Sequence, residues 1–174
     1  MMNKEKIRVA IVGTGRISDL HAIEYMQNPN AEIVALCDTN IDLAKNRAKK
    51  WGCSESIKIV DELDKVLKDN NIDMVELLLP HHMHLNAALK AIEAGKIVSL
   101  QKPMCLNLDE ANTLVDAVEK YDKPFKIFEN FIFHPPVIKA KKLVDEGAIG
   151  KPLSIRIKSN FGIGDEAWNV PKYA

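Results

Sequence analysis

The sequence has no excess of charge of either sign and no long run of apolar residues. Its 24 basic and 24 acidic residues give a formal net charge of +0, with no basic stripe for nucleic acid and no acidic tail. None of its apolar runs approaches the length of a membrane span. These absences exclude the usual nucleic-acid-binding and transmembrane classes, so we expect neither nucleic acid nor membrane as a partner.

Cysteine is also scarce. Cys37, Cys53 and Cys105 are odd in number and widely spaced, which predicts free thiols in a reducing compartment rather than disulfides or a zinc site. The first residues are charged and lead directly into an apolar run, a pattern that predicts no signal peptide. We therefore expect a cytoplasmic protein.

What is present is an ordinary globular composition with a regular alternation of elements. With 174 residues, 47% of them apolar, the chain is long enough for one domain with a proper core, or for somewhat more. Helical patterns separate the short apolar runs that predict strands, which are residues 7–12, 32–38, 57–60, 73–79, 97–100 and 125–129. This alternation predicts an α/β fold with a parallel, doubly wound sheet.

The first apolar run ends in a glycine turn. Residues 7–18 read IRVAIVGTGRIS, so a buried strand is followed by Gly13, Thr14 and Gly15 and then by a helical pattern. Gly13 would allow the tight turn, and Gly15 would let a pyrophosphate approach the backbone at the positive end of the helix. Ser18 takes the third glycine position of this dinucleotide fingerprint. A strand–turn–helix corner without a ligand is the alternative.

An acidic residue ends the second apolar run. Asp38 follows Gly13 by 25 residues (38 − 13), where a carboxylate can accept hydrogen bonds from an adenosine ribose. It would repel a 2′-phosphate, and Lys45 and Arg47 lie further along rather than directly after it, so we expect NAD rather than NADP. A cap for the helix that begins near Asn40 is the alternative role, and the two roles are compatible.

The pattern changes after Asn130. A helix over residues 136–146 is predicted to bury the apolar side chains Val137, Ala140, Leu143 and Val144. Residues 152–161 then alternate apolar and polar, which predicts a half-buried strand of an open, antiparallel sheet. No later segment can pair with this strand. We expect a first domain over residues 1–130, the truncated beginning of a second over 131–174, and a homo-oligomer formed through the uncovered strand.

Five stretches together resemble one enzyme family. They are AIVGTGRIS, EIVALCD, LLLPHHMHLNAALKAIEAGKIV, LQKP and VIKAKKLVDEGAIGKPLSIR. Their order and spacing are similar to those of the glucose–fructose oxidoreductase/inositol dehydrogenase/MocA (Gfo/Idh/MocA) family of NAD(P)-dependent oxidoreductases, whose members are longer. The resemblance implies a Rossmann domain, a second open-sheet domain for substrate, and hydride transfer between nicotinamide and a CH–OH or C=O carbon of a small molecule such as a sugar or polyol.

The resemblance also implies residue roles. Lys102 matches the lysine of the family's Glu-Lys-Pro motif, which implies a catalytic proton donor or acceptor at the substrate hydroxyl. From the residues alone, Lys102 can equally be a solvated lysine beside a proline. The implied cofactor-binding residues are Gly13, Gly15, Arg16, Ile17, Asp38, Leu79, Pro80, His84, Gln101 and Asn130.

The chain departs from the family pattern in three places. Gln101 replaces the usual glutamate, Phe131 and Ile132 stand where an arginine is common, and the family's downstream aspartate–histidine pair is missing. Because that pair is missing, the chain alone is expected to be inactive. A non-catalytic dinucleotide-binding module and a flavodoxin-like domain without nucleotide remain as alternatives.

Three histidines lie close together in the sequence, and they raise the question of a metal. His81, His82 and His84 lack the ordinary zinc spacing and have no acidic or cysteine partner nearby. We therefore predict no metal site and assign this cluster to capping and cofactor contact.

Overall fold

The computed structural model describes residues 6–53, 57–129 and 132–158. The chain divides into two compact units, Met1–Glu129 and Asn130–Ala174.

The first unit contains a six-stranded parallel sheet. Its strands are β1 Ile7–Val12, β2 Ala31–Cys37, β3 Lys58–Val60, β4 Met74–Leu77, β5 Ile97–Leu100 and β6 Phe125–Ile127. Its helices are α1 Ser18–Gln27, α2 Ile41–Lys50, α3 Leu63–Leu67, α4 His84–Glu93 and α5 Leu108–Glu119. The strand order is β3-β2-β1-β4-β5-β6, and every pairing is parallel. The predicted doubly wound Rossmann sheet is confirmed.

Helices cover both faces of this sheet because successive strand residues point in opposite directions. On β1, Ile11 packs into a core with residues of α1 and α2, whereas Ala10 and Val12 pack into a second core with residues of α3, α4 and α5. Small residues let the helices approach closely, as Ala44 and Ala48 of α2 do without any exposed surface. The sheet is therefore buried on both sides, as parallel sheets usually are.

The strand order reverses between β1 and β4, and this reversal positions the site. From β1, the chain adds β2 and β3 toward one edge of the sheet. It then returns to the other side of β1 and adds β4, β5 and β6 toward the opposite edge. Two backbone bonds extend the pairing just beyond the strands: Gly13 N–H donates to Cys37 O at 2.8 Å, and Leu78 N–H donates to Val12 O at 2.8 Å. In open parallel sheets, ligands bind at the carboxyl edge next to such a reversal.

The second unit differs from the sequence prediction. Its helix α6, Pro135–Asp145, forms close to the predicted position, but it buries none of its residues, and Val137 is 44% exposed. Over the described part of the predicted strand, residues 152–158, there is no strand, and Leu153, Ile155 and Ile157 are more than 80% exposed. These two predictions were wrong over the described residues: α6 is the one regular element within residues 132–158, so that segment contains no second helix or strand to pack on α6 or to pair with residues 152–158.

All three cysteines are free, as predicted. Burial, reinforced by nearby Asp38, raises the pKa of the Cys37 thiol to about 12, so this side chain behaves as a small apolar residue. Among the described residues, no helix combines the length and hydropathy required to span a bilayer.

Candidate functional site

The residues singled out from the sequence meet at one edge of the sheet. Gly13 follows β1, Asp38 follows β2, Leu79 follows β4, and Gln101 and Lys102 follow β5. Because these four strands are parallel, their carboxyl ends lie at the same edge. Asn130 falls outside the described residues, so its predicted role stays a prediction.

Gly13 is required at the end of β1 on two grounds. Its φ is +93°, in the region that favours glycine, and a Cβ at this position would lie 2.3 Å from the carbonyl oxygen of Leu78. The contact is with backbone of the neighbouring strand segment, which cannot move aside as a flexible side chain could. The chain therefore turns sharply off β1 while β1 and β4 stay close together.

Gly15 has a different environment. A Cβ built there would meet no atom within 4 Å, so the glycine borders open space. The backbone N–H groups of Gly15, Arg16 and Ile17 have no acceptor among the described residues. They precede α1, where the helix dipole favours an anion. Ser18 is buried and its hydroxyl donates to Gly15 O at 2.6 Å, which fixes the last part of the turn.

Asp38 ties the glycine turn to the end of β2. Its Oδ2 accepts from both the backbone N–H and the hydroxyl of buried Thr14, each at 2.8 Å, and its Oδ1 accepts from Asn40 N–H at 2.9 Å. The helix cap of α2 is Asn40, whose side chain accepts from Leu43 N–H. Asn40, rather than Asp38, therefore caps α2, and the Asp38 carboxylate holds the glycine turn in place.

The Arg47 guanidinium of α2 also holds the glycine turn. Arg47 donates to Thr14 O at 3.1 Å and forms an ion pair with Asp19 at 2.7 Å. Burial alone would raise the pKa of Asp19, but hydrogen bonds from Lys50 and Trp51 and the Arg47 charge hold that pKa below its usual range. The Arg47 guanidinium is therefore bonded both to α1, through Asp19, and to the glycine turn, through Thr14 O.

On the β4 side, a buried histidine connects two loops. His84 has no exposed surface, and its Nδ1 and Nε2 each lie 2.8 Å from a carbonyl oxygen, those of Pro103 and Leu79. A neutral ring can donate to one of these oxygens and the imidazolium to both. Leu79 is half-buried and Pro80 is exposed at the start of this loop. Contact of these residues with a cofactor stays a prediction.

Lys102 is exposed where β5 gives way to its loop, and the Lys102–Pro103 peptide bond is cis. Its backbone N–H donates to Gln101 Oε1 at 2.8 Å, and Gln101 Nε2 lies 2.9 Å from Nε2 of His21. The backbone at the lysine is thus linked to a side chain of α1.

Several residues of this edge were not found in the sequence. Thr14, Asp19 and Arg47 carry no periodic signal, because each acts on a residue at least 24 positions away. A buried carboxylate, Glu76, did have a signal, since it interrupts the apolar run DMVELLL of a central strand. A charge there must be buried and therefore paired.

Within the described residues, no group of three or more His, Cys, Asp and Glu side chains could hold a metal ion.

An all-parallel sheet of this order, with a glycine turn, amides before α1 that no described residue accepts from and a carboxylate after β2, defines a Rossmann-type dinucleotide-binding domain. The chain belongs to the Gfo/Idh/MocA family: the family model described as "Oxidoreductase family, NAD-binding Rossmann fold" matches residues 7–128.

The relatives include dehydrogenases of sugars and polyols. Levoglucosan dehydrogenase of Pseudarthrobacter phenanthrenivorans is 28% identical over 160 residues, which are 87% of this chain and 40% of that protein. Myo-inositol 2-dehydrogenase of Thermotoga maritima is 29% identical over 153 residues, 88% of this chain and 45% of that protein. The crystal structure of scyllo-inositol dehydrogenase from Lactobacillus casei with bound NAD(H) and scyllo-inositol matches with a TM-score of 0.77 and 25% identity, over 84% of this chain and 43% of that one. The chain thus spans less than half the length of each.

The two glycines of the turn should respond differently to alanine. We expect Gly13→Ala to lower the free energy of unfolding by about 3 kcal/mol, because of its positive φ and the clash with Leu78 O. Gly15→Ala should change it by less than about 1 kcal/mol, since a methyl group fits there. Urea unfolding of both variants measures the difference, and equal losses would contradict the geometry of the turn.

Proposed function

We propose that this chain is the cofactor-binding portion of an NAD(P)-dependent oxidoreductase that transfers a hydride between nicotinamide and a CH–OH or C=O carbon of a sugar or polyol. The observation that carries the proposal is a set of three successive backbone amides, at Gly15, Arg16 and Ile17, that have no acceptor among the described residues, beside a glycine that borders open space at the strand-order reversal. Amides of this kind at a helix start are what a diphosphate requires.

The chemistry of the turn favours NAD over NADP. The Asp38 carboxylate accepts two hydrogen bonds from Thr14 and one from Asn40, which leaves one lone pair on Oδ1 for a ribose hydroxyl, and its charge would repel a 2′-phosphate. Arg47, the nearest arginine along the chain, is already bonded to Thr14 O and Asp19. Leu79, Pro80 and Gln101 would line the nicotinamide end, since they follow the strands on the other side of the reversal.

When bound, the cofactor accepts or returns a hydride. The chain must then move a proton at the attached oxygen, and Lys102 is the group for this step. Its amine projects from the exposed loop after β5, at the edge where substrate would reach the nicotinamide. The Lys102 amine would take the hydroxyl proton as the alcohol is oxidised, and would return a proton to oxygen in the reverse direction.

A non-catalytic dinucleotide-binding module is the second candidate. It is favoured by one observation: the residue before Lys102 is Gln101, where the family pattern that the chain resembles has a glutamate. DNA beyond the codon for Ala174 separates the two. An in-frame continuation with the family's aspartate–histidine pair supports the enzyme, and a stop codon supports the module.

Binding of NADH tests the proposal directly. By fluorescence titration, we expect Gly15→Ala to raise the Kd for NADH about tenfold or more, because its methyl group would occupy the space of the diphosphate.

Asp38→Ala and Asp38→Asn should both narrow the preference for NADH over NADPH. Asp38→Asn removes the negative charge but keeps an oxygen that can accept from Thr14. A change in cofactor preference in this variant therefore reports the charge rather than a loss of support for the turn. Absence of NADH binding by the wild type at millimolar concentration would remove both nucleotide hypotheses.

The proton role of Lys102 is tested by Lys102→Met. We expect the variant to keep the wild-type Kd for NADH and to lose about 100-fold or more in the rate of NAD-dependent oxidation of inositols. Lys126→Met, which alters a lysine on β6 instead, is the matched control. If the wild type binds NADH but oxidises no sugar or polyol, the binding module is favoured.

We also propose self-association through the exposed apolar residues Leu153, Ile155 and Ile157. Three large apolar side chains this close together, each more than 80% exposed, favour association in water. Sedimentation at high protein concentration should show oligomers that Ile155→Lys disperses and that Ser154→Lys, which adds the same charge at an intervening position, does not. A monomer of the wild type at those concentrations would contradict this.

A further inference from the structure

A buried carboxylate lies behind the Lys102 loop. Glu76 is on the central strand β4, has no exposed surface and faces α1. Its Oε2 accepts from the Tyr25 hydroxyl at 2.5 Å, and its Oε1 lies 2.9 Å from Nδ1 of His21. Burial, together with the Glu76 charge, raises the pKa of Tyr25, so this hydroxyl stays protonated and donates.

The His21 ring has a defined position between Glu76 and the end of β5. Its side chain is 12% exposed, and it meets the Phe128 ring edge to face, with centroids 4.8 Å apart. Its Nε2 lies 2.9 Å from Gln101 Nε2, whereas Gln101 Oε1 accepts from Lys102 N–H. The contacts therefore run continuously from Glu76 through His21 and Gln101 to Lys102.

The direction of each hydrogen bond follows from the Lys102 backbone. A backbone N–H only donates, so the Gln101 atom facing it must be the oxygen, and the amide NH₂ faces His21. An amide NH₂ also only donates, so His21 Nε2 must accept and carries no proton. The remaining ring proton is then on Nδ1, next to Glu76 Oε1. Either an imidazolium or the other tautomer would bring two donors together at Gln101.

The contact with Glu76 is electrostatic rather than a well-aligned hydrogen bond. Oε1 has no aligned donor among the described residues, although His21 Nδ1 is at hydrogen-bonding distance. The tautomer therefore follows from the Gln101 contact, and it places the one ring N–H beside Glu76 Oε1 at that distance.

We propose that His21 is a positioning residue, held as the neutral Nδ1–H tautomer, that links the buried Glu76 to Gln101 and so fixes the backbone at Lys102. A catalytic purpose for this support rests on the proposed function of Lys102. Gln101 suits this arrangement because it donates to an unprotonated Nε2. A glutamate at position 101 would have to accept from His21, which requires the imidazolium between two carboxylates.

Nitrogen-15 NMR of the ring nitrogens at neutral pH tests the proposal in the free protein. We expect His21 to show a protonated Nδ1 and a bare Nε2. In Gln101→Glu, both nitrogens should be protonated. The ring signals that disappear in His21→Gln belong to His21. His82→Gln, which alters an exposed histidine, should leave those His21 signals unchanged. An Nε2–H tautomer or an imidazolium in the wild type would overturn the proposal, as would an unchanged tautomer in Gln101→Glu.

Hydrogen exchange at the Lys102 amide tests the positioning step. His21→Leu releases the Gln101 side chain, so exchange of this amide should accelerate about five- to tenfold, the effect of losing one hydrogen bond. His21→Gln, which can offer an oxygen near the position of Nε2, should restore most of the protection. Unchanged exchange in His21→Leu would contradict the proposal. If His21→Leu does not fold, the wild-type and Gln101→Glu spectra decide. A failure of NADH binding or of turnover would leave all these signals unaltered and would count against the proposed function alone.

Discussion

The close approach of β1 and β4 at their carboxyl ends constrains the rest of the site. The carbonyl oxygen of Leu78 occupies the place where a side chain at position 13 would begin. The chain can pass this point only as glycine with a positive φ, and it then turns away from the sheet before α1 starts. As a result, three backbone amides precede the helix without an acceptor in the described part of the chain, at the edge where the strand order reverses. A steric constraint within the core thus shapes the polar turn on which the proposed diphosphate site rests.

Side chains from other elements hold the loops of this edge, since the loops lack the backbone pairing of the strands. Asp38 binds the Thr14 amide, Arg47 binds the Thr14 carbonyl, and His84 contacts the Pro103 carbonyl. The first contact joins the glycine turn to the end of β2, the second joins it to α2, and the third joins the loop after β5 to α4, so the site depends on the packing of several elements of the first unit. The Rossmann fold and the loop geometry are therefore stabilised together.

The sequence predicted the fold well and the supporting contacts poorly, for physical reasons. Alternation of apolar runs and helical patterns is local, so all six strands and the glycine turn could be predicted. Helix α1 begins at Ser18 rather than at Arg16, because the preceding residues form the turn that leaves amides free. Contacts of Asp38 with Thr14 and of His21 with Gln101 join distant residues and have no periodic signal. The described part of the predicted strand, residues 152–158, shows the opposite error: alternation alone does not form a strand when the described residues offer no partner strand.

The buried carboxylate on β4 shows how this chain can tolerate a neutral residue beside Lys102. An ionised Glu76 without exposed surface would be costly unless nearby donors stabilised it, and Tyr25 and His21 provide two. Because the Gln101 amide fixes which His21 nitrogen is bare, the ring can support Glu76 without becoming a cation itself. The His21 ring therefore separates the buried Glu76 carboxylate from Gln101, and position 101 itself places no carboxylate beside Lys102.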